Sequence, residues 1–475
     1  MSQEASFFKK LDWTTIAIYL LLVGLGWINI FASIYDAEYS RFSDIFDMSQ
    51  RYGMQIRWIG GAIIIAVLCL CLQSKFYPVL AWPTYILSLL SLVAVLFFGV
   101  DVNGSTSWLA IGSFRLQPAE FSKIAASLAL ARLMSEAHFK LKQPVNMLLV
   151  LAIIFIPPIF IIMEHEAGLA LVYTAFLLVL YREGMSGWIL VLGFCAICLF
   201  LLSILWEKAS VFILITLVCS LGYALLSRRW LHLLLAAAFF IPAYIFLPDF
   251  LADKAGILLS SESWFLLLLL PVLIAVALYS LRRHIRSMGW MLLCFFISVG
   301  GVYSVDYVFD NVLRDHQRTR IQILLGITQD LQGAGYNVHQ SKVAIGSGGW
   351  SGKGFLQGTQ TKYNFVPEQT TDFIFCTIGE EWGFLGACVI ILLYLALFYR
   401  IILIAERHKD SFVRVYGYCV AACFFFHFFI NIGMTIGLVP VIGIPLPFIS
   451  YGGSSLWAFT IMLFVLLKLD SNRWG

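Results

Sequence analysis

The chain has 475 residues, of which 61% are hydrophobic and only 12% are charged, and its mean hydropathy is +0.89. A soluble domain of this size needs more charge on its surface, so this composition excludes a soluble globular protein. The small net charge of +4 gives no reason to expect nucleic acid as a partner. Every apolar run has the length of a helix, which predicts an all-α, polytopic membrane helix bundle and not a β-barrel.

The apolar runs predict about fourteen transmembrane helices. In chain order they cover residues 14–34, 57–73, 77–99, 118–134, 146–163, 168–181, 187–206, 209–226, 230–247, 263–281, 288–309, 372–400, 412–437 and 448–468. Under this count the basic clusters all lie on one side: Lys9/Lys10, Lys140/Lys142, Arg228/Arg229, Arg282/Arg283/Arg286 and Arg407/Lys409/Arg414. The positive-inside rule then predicts that both termini are cytoplasmic and that the long loop 310–371 is extracytoplasmic.

Two charges lie in the first two turns of the helix predicted at 118–134. Pro118 suits the first turn of a helix, and Glu120 and Lys123 share one face of it because they are three residues apart. Charges in a membrane helix are costly and are usually paired and turned inward. The pair is therefore either a structural ion pair that fixes the helix or part of the polar wall of a substrate cavity.

The turn Glu164-His165-Glu166 places three titratable groups between two apolar spans. Such a turn is either a proton or cation site or a solvated interfacial turn, and the sequence leaves both interpretations open. No metal-ligand spacing is completed nearby, so no metal is proposed here.

The stretch from Gly333 to Glu381 is rich in glycine and polar residues, although it lies between long apolar segments. Its GSGGWSGKG run resembles a phosphate-cradling loop, but it lacks the GxxxxGK[ST] spacing and faces a compartment without ATP. Arg318 and Arg320 precede the stretch. Alternate guanidinium groups suit an anionic headgroup, and a solvated basic face is the alternative.

Asp372 lies where apolar sequence resumes, after two threonines and before two aromatic residues. A carboxylate in such surroundings at a helix mouth suits a general base that takes a proton from a sugar hydroxyl. Aspartate is also a preferred N-cap, and the local sequence by itself favours capping. Glu380 and Glu381 lie about two turns deeper, inside the predicted span, where capping does not explain them.

The stretch Gly437–Ser455 contains three prolines and four glycines in otherwise apolar sequence. Irregular backbone is tolerated at membrane depth only where protein or a cavity satisfies its polar groups. We expect this stretch to line the same cavity as the long polar loop.

These stretches together resemble the SEDS family (shape, elongation, division and sporulation), and within it the RodA-like, rod-shape branch. Similar to the family's RWL…R.QPSE..K element are Trp108-Leu109, Arg115, Gln117-Pro118-Ala119-Glu120 and Lys123. Similar to its GY..QSKIAIGSGG..GKG...GTQ loop are Gly335-Tyr336, Gln340-Ser341-Lys342 and Gly358-Thr359-Gln360. Phe365–Gly383 resembles F.PE..TDFIF...GEE.G, and Asn431–Ser454 resembles NIGM..G..P..GIPLP..SYGGS. The GKG…GTQ form favours the elongation branch over the division branch.

The resemblance implies a peptidoglycan glycosyltransferase of the cell inner (cytoplasmic) membrane, which polymerises lipid II at the outer face during cell elongation and cell-shape maintenance. Its essential aspartate falls on Asp372, which reverses the local preference for capping. Asp372 would then accept the proton of an attacking GlcNAc 4-hydroxyl, while the other lipid-linked sugar loses its diphosphate-lipid from C1 with inversion. The further residues expected around the cavity are Trp108, Arg115, Glu120, Lys123, Arg318, Arg320, Gln340, Ser341, Lys342, Lys353, Thr359, Gln360, Glu368, Glu380, Glu381 and Ser450.

The leaving diphosphate carries negative charge that must be stabilised. The expected sources of positive charge are Arg318, Arg320, Lys353 or a divalent cation (Mg or Mn), and no organic cofactor is expected. The resemblance also implies two kinds of partner: a class B penicillin-binding protein that acts as transpeptidase, and other membrane proteins of the elongation complex.

The chain departs from the family in two places. Where relatives commonly have QPDLGT, this chain has His165-Glu166-Ala167-Gly168-Leu169-Ala170, which puts any inherited role there in doubt. Family members have a ten-helix core, whereas this chain has about four further spans. The predicted division is therefore an N-terminal core part at 1–206, an insertion at 207–287 and a C-terminal core part at 288–475.

A lipid II flippase is the main alternative, because buried charges and broken helices also suit transport. The unusual polar content is concentrated on the predicted outer side, however, and the glycine-rich loop has no inverted repeat. A purely structural scaffold is disfavoured by the charges predicted at membrane depth.

Overall fold

The computed structural model describes residues 10–35, 47–102, 105–112, 114–227, 261–283, 286–328, 333, 335–363 and 365–472. The predicted helical, polytopic membrane architecture is confirmed in these ranges. The predicted span 230–247 lies outside them, so the count of fourteen stays a prediction.

The N-terminal half begins with α1 (Trp13–Ile34), α2 (Arg51–Cys71) and α3 (Phe76–Phe98). A small antiparallel sheet follows, formed by β1 (Val100–Val102), β2 (Ser105–Ile111) and β3 (Phe114–Leu116). Next come α4 (Pro118–Met134), α5 (Pro144–Met163), α6 (Ala167–Val172), a 3-10 turn (Tyr173–Ala175) and α7 (Phe176–Arg182).

The chain continues with α8 (Gly187–Leu205), α9 (Lys208–Ser227), α10 (Ser261–Arg283), α11 (Arg286–Tyr307), a π-helical turn (Val308–Val312) and α12 (Asp315–Leu324). The remaining helices are α13 (Tyr336–Ser347), α14 (Thr359–Lys362), α15 (Ile374–Glu381), α16 (Gly383–Glu406), α17 (Ser411–Thr435) and α18 (Gly453–Ser471).

Within the described ranges, nine helices have the length and apolar composition needed to cross a membrane. Shorter apolar helices occupy Ala167–Arg182, Lys208–Gly222 and Glu262–Ile274. Helix α4 is not among the nine, because it is shorter and carries charged side chains. The sheet was not foreseen by an all-α prediction. Its strands lie outside the apolar runs, and their pairing gives the backbone of the 100–116 loop its hydrogen-bond partners.

The chain forms two compact units. A core unit comprises Met1–Gly187 and Gln329–Gly475, and a second unit comprises Trp188–Thr328. The second unit has its own apolar core, with Phe212, Phe265 and Phe295 fully or almost fully buried. The predicted insertion 207–287 falls within this second unit, and its boundaries stay a prediction.

In the core unit, α4, α15, α17 and α18 are well enclosed, since most of their residues are buried. Helix α4 packs against α3 and α17, and α18 packs against α2. Two loops that are predicted to lie on the same side of the membrane meet at one end of the core unit. There Arg182 pairs with Glu406 (2.7 Å) and Arg414 with Glu183 (2.9 Å), which joins two loops predicted to be cytoplasmic.

Candidate active site

Asp372 lies on irregular backbone between α14 and α15, and its side chain is half-buried. The carbonyl groups of three consecutive residues each accept a hydrogen bond from elsewhere in the core unit. Tyr451 N donates to Thr370 (2.8 Å), Ser450 Oγ to Thr371 (2.6 Å) and Asn431 Nδ2 to Asp372 (2.9 Å). The Asp372 carboxylate therefore projects from a backbone that is fixed at three successive points.

Helix α15 begins too late for Asp372 to cap it. The N-cap position is Phe373, and no side chain caps the helix. The capping role that the local sequence favours is therefore not the arrangement found.

The proline-rich segment, residues 440–452, is the second irregular stretch beside Asp372. Gly443 has φ +76°, and a Cβ atom there would lie 3.3 Å from Asp372 Oδ2. Two helices approach the segment through glycines: a Cβ on Gly26 would lie 2.6 Å from Ile449 Cα, and one on Gly168 would lie 2.8 Å from the Ile442 carbonyl. Gly443 of this stretch therefore lies next to the Asp372 carboxylate. That the stretch lines the same cavity as the long polar loop stays a prediction.

Helix α17 holds the proline-rich segment through two side chains one turn apart. Asn431 Nδ2 donates to the Ile444 carbonyl (2.8 Å) as well as to the Asp372 carbonyl. His427 Nδ1 lies 3.1 Å from the Pro445 carbonyl. Consecutive carbonyl groups that have no helical partner are thus satisfied from one face of one helix.

Glu120 and Lys123 form the ion pair that their spacing predicts, with Lys123 Nζ 2.7 Å from Glu120 Oε2. Both side chains are enclosed by protein, at 1% and 0% exposure. Lys123 Nζ also contacts His427 Nε2 at 2.8 Å and lies 5.0 Å from the centre of the Phe459 ring. The ion pair therefore lies within α4, and Lys123 connects it to His427 of α17. At the start of α4, Gln117 N donates to Ser454 Oγ (3.2 Å).

The glycine-rich segment, residues 348–362, crosses the junction between α15 and α16. Lys353 N and Gly354 N donate to the carbonyls of Glu380 and Glu381, each at 3.0 Å. Phe384 N and Leu385 N donate in return to the carbonyls of Gly349 (2.9 Å) and Trp350 (3.1 Å). A sheet-like exchange of backbone bonds therefore replaces helical bonds at this point.

This exchange corrects the prediction of one continuous span at 372–400. Gly383 has φ +63°, and the helix restarts there after Trp382. A Cβ at Gly383 would lie 2.3 Å from Gly352 N, and one at Gly352 would lie 2.1 Å from the Glu381 carbonyl. Only glycines allow the two backbones to approach so closely.

Glu380 joins several of the predicted residues at one buried carboxylate. Its Oε1 accepts from Lys353 Nζ (2.7 Å) and from the backbone N–H groups of Thr359 (2.8 Å) and Gln360 (2.9 Å). Its Oε2 accepts from Thr361 N and Oγ1, each at 3.0 Å. The carboxylate thus fixes the glycine-rich segment, and it compensates the charge of Lys353.

Glu381 is buried as deeply as Glu380 but is not satisfied in the same way. Both of its carboxylate oxygens lack a partner within hydrogen-bond geometry among the described residues.

Several other predicted residues have structural contacts in the core unit. Ser341 Oγ donates to the Thr435 carbonyl (2.9 Å) and attaches α13 to α17. Lys342 is exposed, and its end lies beside Gly437. Gln340 is half-buried on the same helix.

Trp108 and Arg115 lie on the sheet that precedes α4. Trp108 is half-buried on β2 opposite Val100, and Arg115 is exposed on β3 opposite Ala110. Strand β3, which carries Arg115, ends directly before the Gln117-Pro118 start of α4, and β2 pairs with it.

Glu368 pairs with an arginine that the sequence analysis missed. Arg51 Nη1 donates to Thr370 Oγ1 (2.6 Å) and lies 3.6 Å from Glu368 Oε2. The predicted span began at residue 57, whereas α2 begins at Arg51. A hydropathy pattern cannot detect a polar first turn, so Arg51 was assigned to a loop.

Arg318 and Arg320 belong to the second unit, on α12. Arg318 donates to the carbonyls of Leu313 (3.0 Å) and Asp310, and it lies 3.8 Å from Asp315. Several N–H groups of Arg318 thus bond to the adjacent residues 310–315. A role for either arginine toward the diphosphate stays a prediction.

The Glu164–Glu166 turn is tied to the sheet. Thr106 N donates to the Glu164 carbonyl (3.3 Å), while Ser105 Oγ and Ser107 Oγ donate to Glu166 Oε1 (2.8 and 2.9 Å). Glu164 is fully buried, and neither of its carboxylate oxygens has a partner within the described part of the chain. Burial, with the nearby Glu166 charge as a smaller cause, raises its pKa to about 8. Glu164 is thus enclosed by protein, whereas His165 in the same turn is exposed.

His427 and Asn431 are the site residues that sequence reasoning did not single out. Both lie in an apolar span, where polar side chains are costly, and their four-residue spacing puts them on one face. That spacing was the available signal. Their partners, which are backbone carbonyls far along the chain, could not be read from it.

Comparison with known proteins identifies relatives along nearly the whole chain. The family described as cell cycle proteins, of the FtsW, RodA and SpoVE type, matches residues 12–220 and 259–474. The peptidoglycan glycosyltransferase RodA of Treponema pallidum is 30% identical over 97% of this chain and 98% of its own length. The peptidoglycan glycosyltransferase MrdB of Escherichia coli K12 is 29% identical over 89% of this chain and 87% of its own.

Solved structures share the fold. One, reported as structural coordination of polymerization and crosslinking by a peptidoglycan synthase complex, has a TM-score of 0.61 at 21% identity and covers 98% of this chain and 99% of its own. The rod shape determining protein RodA of Thermus thermophilus has a TM-score of 0.55 at 20% identity, with 98% of each chain covered. At these identities the likeness concerns the fold alone.

Proposed function

Since this chain belongs to the FtsW, RodA and SpoVE family, we propose that it is a peptidoglycan glycosyltransferase that polymerises lipid II during cell elongation. The relative with 30% identity along almost its entire length carries that activity in its name. The motifs that carry the resemblance also converge in space, because the proline-rich segment donates hydrogen bonds to the carbonyls of Thr370 and Thr371, next to Asp372.

Asp372 is the residue on which the proposal depends. It is a partly accessible carboxylate on a backbone fixed at Thr370, Thr371 and its own carbonyl. Catalytic groups require such support, because a displacement of about 1 Å can cost on the order of a hundredfold in rate. Glu120 and Glu380 are almost completely enclosed by protein and pair with Lys123 and Lys353, so a sugar hydroxyl has no access to them.

The chemistry is an inverting glycosyl transfer. Asp372 accepts the proton of the GlcNAc 4-hydroxyl as its oxygen attacks C1 of the second lipid-linked sugar. The new C1–O bond forms while the bond from C1 to the diphosphate oxygen breaks, and the bonding electrons leave with the diphosphate-lipid. A positioned general base contributes roughly 10²–10⁴-fold to such a step.

The leaving diphosphate needs positive charge, and the described residues offer no resident metal centre. No group of three or more His, Cys, Asp or Glu side chains is placed to hold a metal ion in those ranges. Magnesium typically binds through substrate phosphates and only one or two carboxylates. We therefore derive no step through a protein-held metal, and we propose that Mg²⁺ or Mn²⁺ would arrive with the diphosphate. Arg318, Arg320 and Lys353 remain proposed donors, although Lys353 would have to share its ammonium with Glu380.

The chain is an integral membrane protein, and the proposal places Asp372 on the extracytoplasmic side with both termini in the cytoplasm. The ion pairs between the 182–183 and 406–414 loops support the predicted alternation of sides. We further propose a class B penicillin-binding protein as partner, together with other elongation-complex proteins. The shared fold with a polymerization and crosslinking complex supports this association.

The deciding experiment uses purified protein, with and without its proposed transpeptidase partner, and labelled lipid II. Wild-type protein should form glycan polymer on a gel, and Asp372→Asn should lower the rate by about 10²-fold or more. Asp410→Asn is the matched control, because Asp410 caps α17 and asparagine caps equally well. The same assay with EDTA tests the cation.

Three outcomes would contradict the proposal in different ways. A folded Asp372→Asn protein with full polymerisation would exclude the general base. Wild-type protein that moves lipid II across vesicles without polymer under any partner condition would favour a flippase. Full activity in EDTA would exclude the divalent cation while leaving the glycosyl transfer intact.

A further inference from the structure

His427 has a defined partner at each ring nitrogen although its side chain is completely buried. Nδ1 lies 3.1 Å from the Pro445 carbonyl, which can only accept a hydrogen bond. The proton must therefore be on Nδ1, and the lone pair of Nε2 faces the Lys123 ammonium at 2.8 Å. The ring acts as a donor on one side and as an acceptor on the other.

The Lys123 ammonium, in turn, has three neighbours that suit a buried cation. Glu120 Oε2 lies at 2.7 Å, His427 Nε2 at 2.8 Å, and the centre of the Phe459 ring at 5.0 Å. A buried polar group without a partner is strongly unfavourable, so the ammonium fixes the position of the imidazole as firmly as the imidazole satisfies the ammonium.

The same ring lies at one end of a chain of direct contacts that reaches Asp372. His427 bonds to the Pro445 carbonyl, and Asn431, one helical turn later, bonds to the adjacent Ile444 carbonyl. The second N–H of the Asn431 amide group bonds to the Asp372 carbonyl, and Gly443 lies against the Asp372 carboxylate. A shift of the 443–446 backbone would therefore move the surroundings of that carboxylate.

We propose that His427 is a positioning residue for the glycosyl transfer, which connects the buried Glu120–Lys123 pair to the backbone that holds Asp372. It touches neither substrate nor the reacting atoms and acts through Pro445. The proposal rests on the proposed function for its effect on rate, while its structural part can be tested without any activity. The ion pair in α4 thereby serves as the fixed point against which the proline-rich segment is set.

Glutamine and leucine at position 427 separate this role from simple packing. Glutamine carries an acceptor and a donor on one amide group, so His427→Gln can keep both contacts, whereas His427→Leu fills space and keeps neither. His427→Asn has the same groups on a shorter side chain and should keep only one contact. Tyr416→Phe is the control. Tyr416 lies on α17, as His427 does, and its substitution also removes one buried hydrogen bond, which Tyr416 donates to the Met462 carbonyl.

Two measurements are made on each variant in detergent. The first is lipid II polymerisation, separated into kcat and KM. The second is hydrogen–deuterium exchange of peptides that cover residues 440–452. We expect His427→Leu to lower kcat by roughly ten- to a hundredfold with KM within about twofold, and to speed exchange at 443–446. His427→Gln should restore both properties, and Tyr416→Phe should change neither.

The inference is overturned if His427→Leu leaves exchange and kcat unchanged, or if His427→Gln is as impaired as His427→Leu. Should the leucine variant fail to fold, the glutamine and asparagine variants still decide, since only glutamine is expected to match the wild type. Wild-type protein without polymerase activity would refute the proposed function, while the exchange data would still test the connection to the proline-rich segment.

Discussion

The glycine-rich and the proline-rich segments are both irregular backbone among apolar helices, yet different chemistry holds each of them. One buried carboxylate, Glu380, collects the amides of the glycine-rich segment and its Lys353. Neutral side chains hold the proline-rich segment. Asn431 and His427 bond to its carbonyls from α17, and Ser450 bonds to Leu446 within the segment. The proline-rich segment bonds to the carbonyls of Thr370 and Thr371, the two residues that precede Asp372.

This difference separates two tasks. The glycine-rich segment depends on one charge and on the absence of side chains where it crosses the α15–α16 junction, so it is suited to a fixed support. The proline-rich segment depends on directional hydrogen bonds, so it is suited to setting the position of a reacting group. We expect changes in the first segment to affect mainly folding, and changes in the second to affect mainly rate.

The largest effect on stability is expected from Gly352→Ala. Gly352 has φ +77°, and a Cβ there would lie 2.1 Å from the Glu381 carbonyl, so backbone must move. Gly349→Ala is the matched control, because Gly349 has φ +55° but open space around its Cβ position. Gly352→Ala should prevent recovery of folded protein in fluorescence-detected size-exclusion chromatography, while Gly349→Ala should cost only about 1 kcal/mol. Equal behaviour of the two would show that the crossing is not close-packed.

The next effect concerns two adjacent glutamates. Glu380→Gln leaves Lys353 without its carboxylate and replaces an acceptor by a donor facing backbone amides. We expect a loss of about 2–4 kcal/mol, somewhat below that of a fully buried pair because Lys353 is partly exposed. Glu381→Gln should be neutral or stabilising, since it removes a buried charge without hydrogen bonds. Unfolding temperatures in detergent compare the two, and the opposite ranking would contradict the role given to Glu380.

A smaller loss is expected from Ser450→Ala in the proline-rich segment. Ser450 Oγ accepts from Leu446 N (2.9 Å) and donates to the Thr371 carbonyl, so both groups lose a partner. This should cost about 1–3 kcal/mol and lower kcat more than it raises KM. Ser347→Ala, whose hydroxyl bonds only within its own helix, should stay within about 0.5 kcal/mol. If Ser450→Ala lost stability but kept its full kcat, the segment would have no positioning role.

The last prediction concerns the Glu164 turn, which we expect to contribute to the pH dependence of stability near neutrality. Burial raises the pKa of Glu164 from 4.5 to about 8, so between these values the folded state binds more protons than the unfolded state. Stability should therefore fall as pH rises through this window. The unfolding temperature of the wild type should drop by several degrees from about pH 5 to about pH 9. Glu164→Gln should weaken this dependence, and Glu136→Gln, at an exposed position, should leave it unchanged.

The sequence predicted the individual polar residues better than their contacts. Glu120 and Lys123 pair as their spacing indicates, because helix geometry is local. Lys353, Thr359 and Gln360 were expected in the site, but nothing in their order showed that Glu380 would collect them. Arg51 was missed because polar residues that open a helix do not change an apolar pattern.

Composition and apolar run length by themselves determined that this is a helical membrane protein, because the bilayer requires long apolar helices whatever their order. Motif resemblance determined the family and selected Asp372. Only the tertiary structure decided that α15 and α16 are separate helices, that Lys123 contacts His427 as well as Glu120, and that three successive carbonyls at Asp372 are held in place. Those features depend on contacts between residues far apart in the chain, and such contacts leave no periodic trace in the sequence.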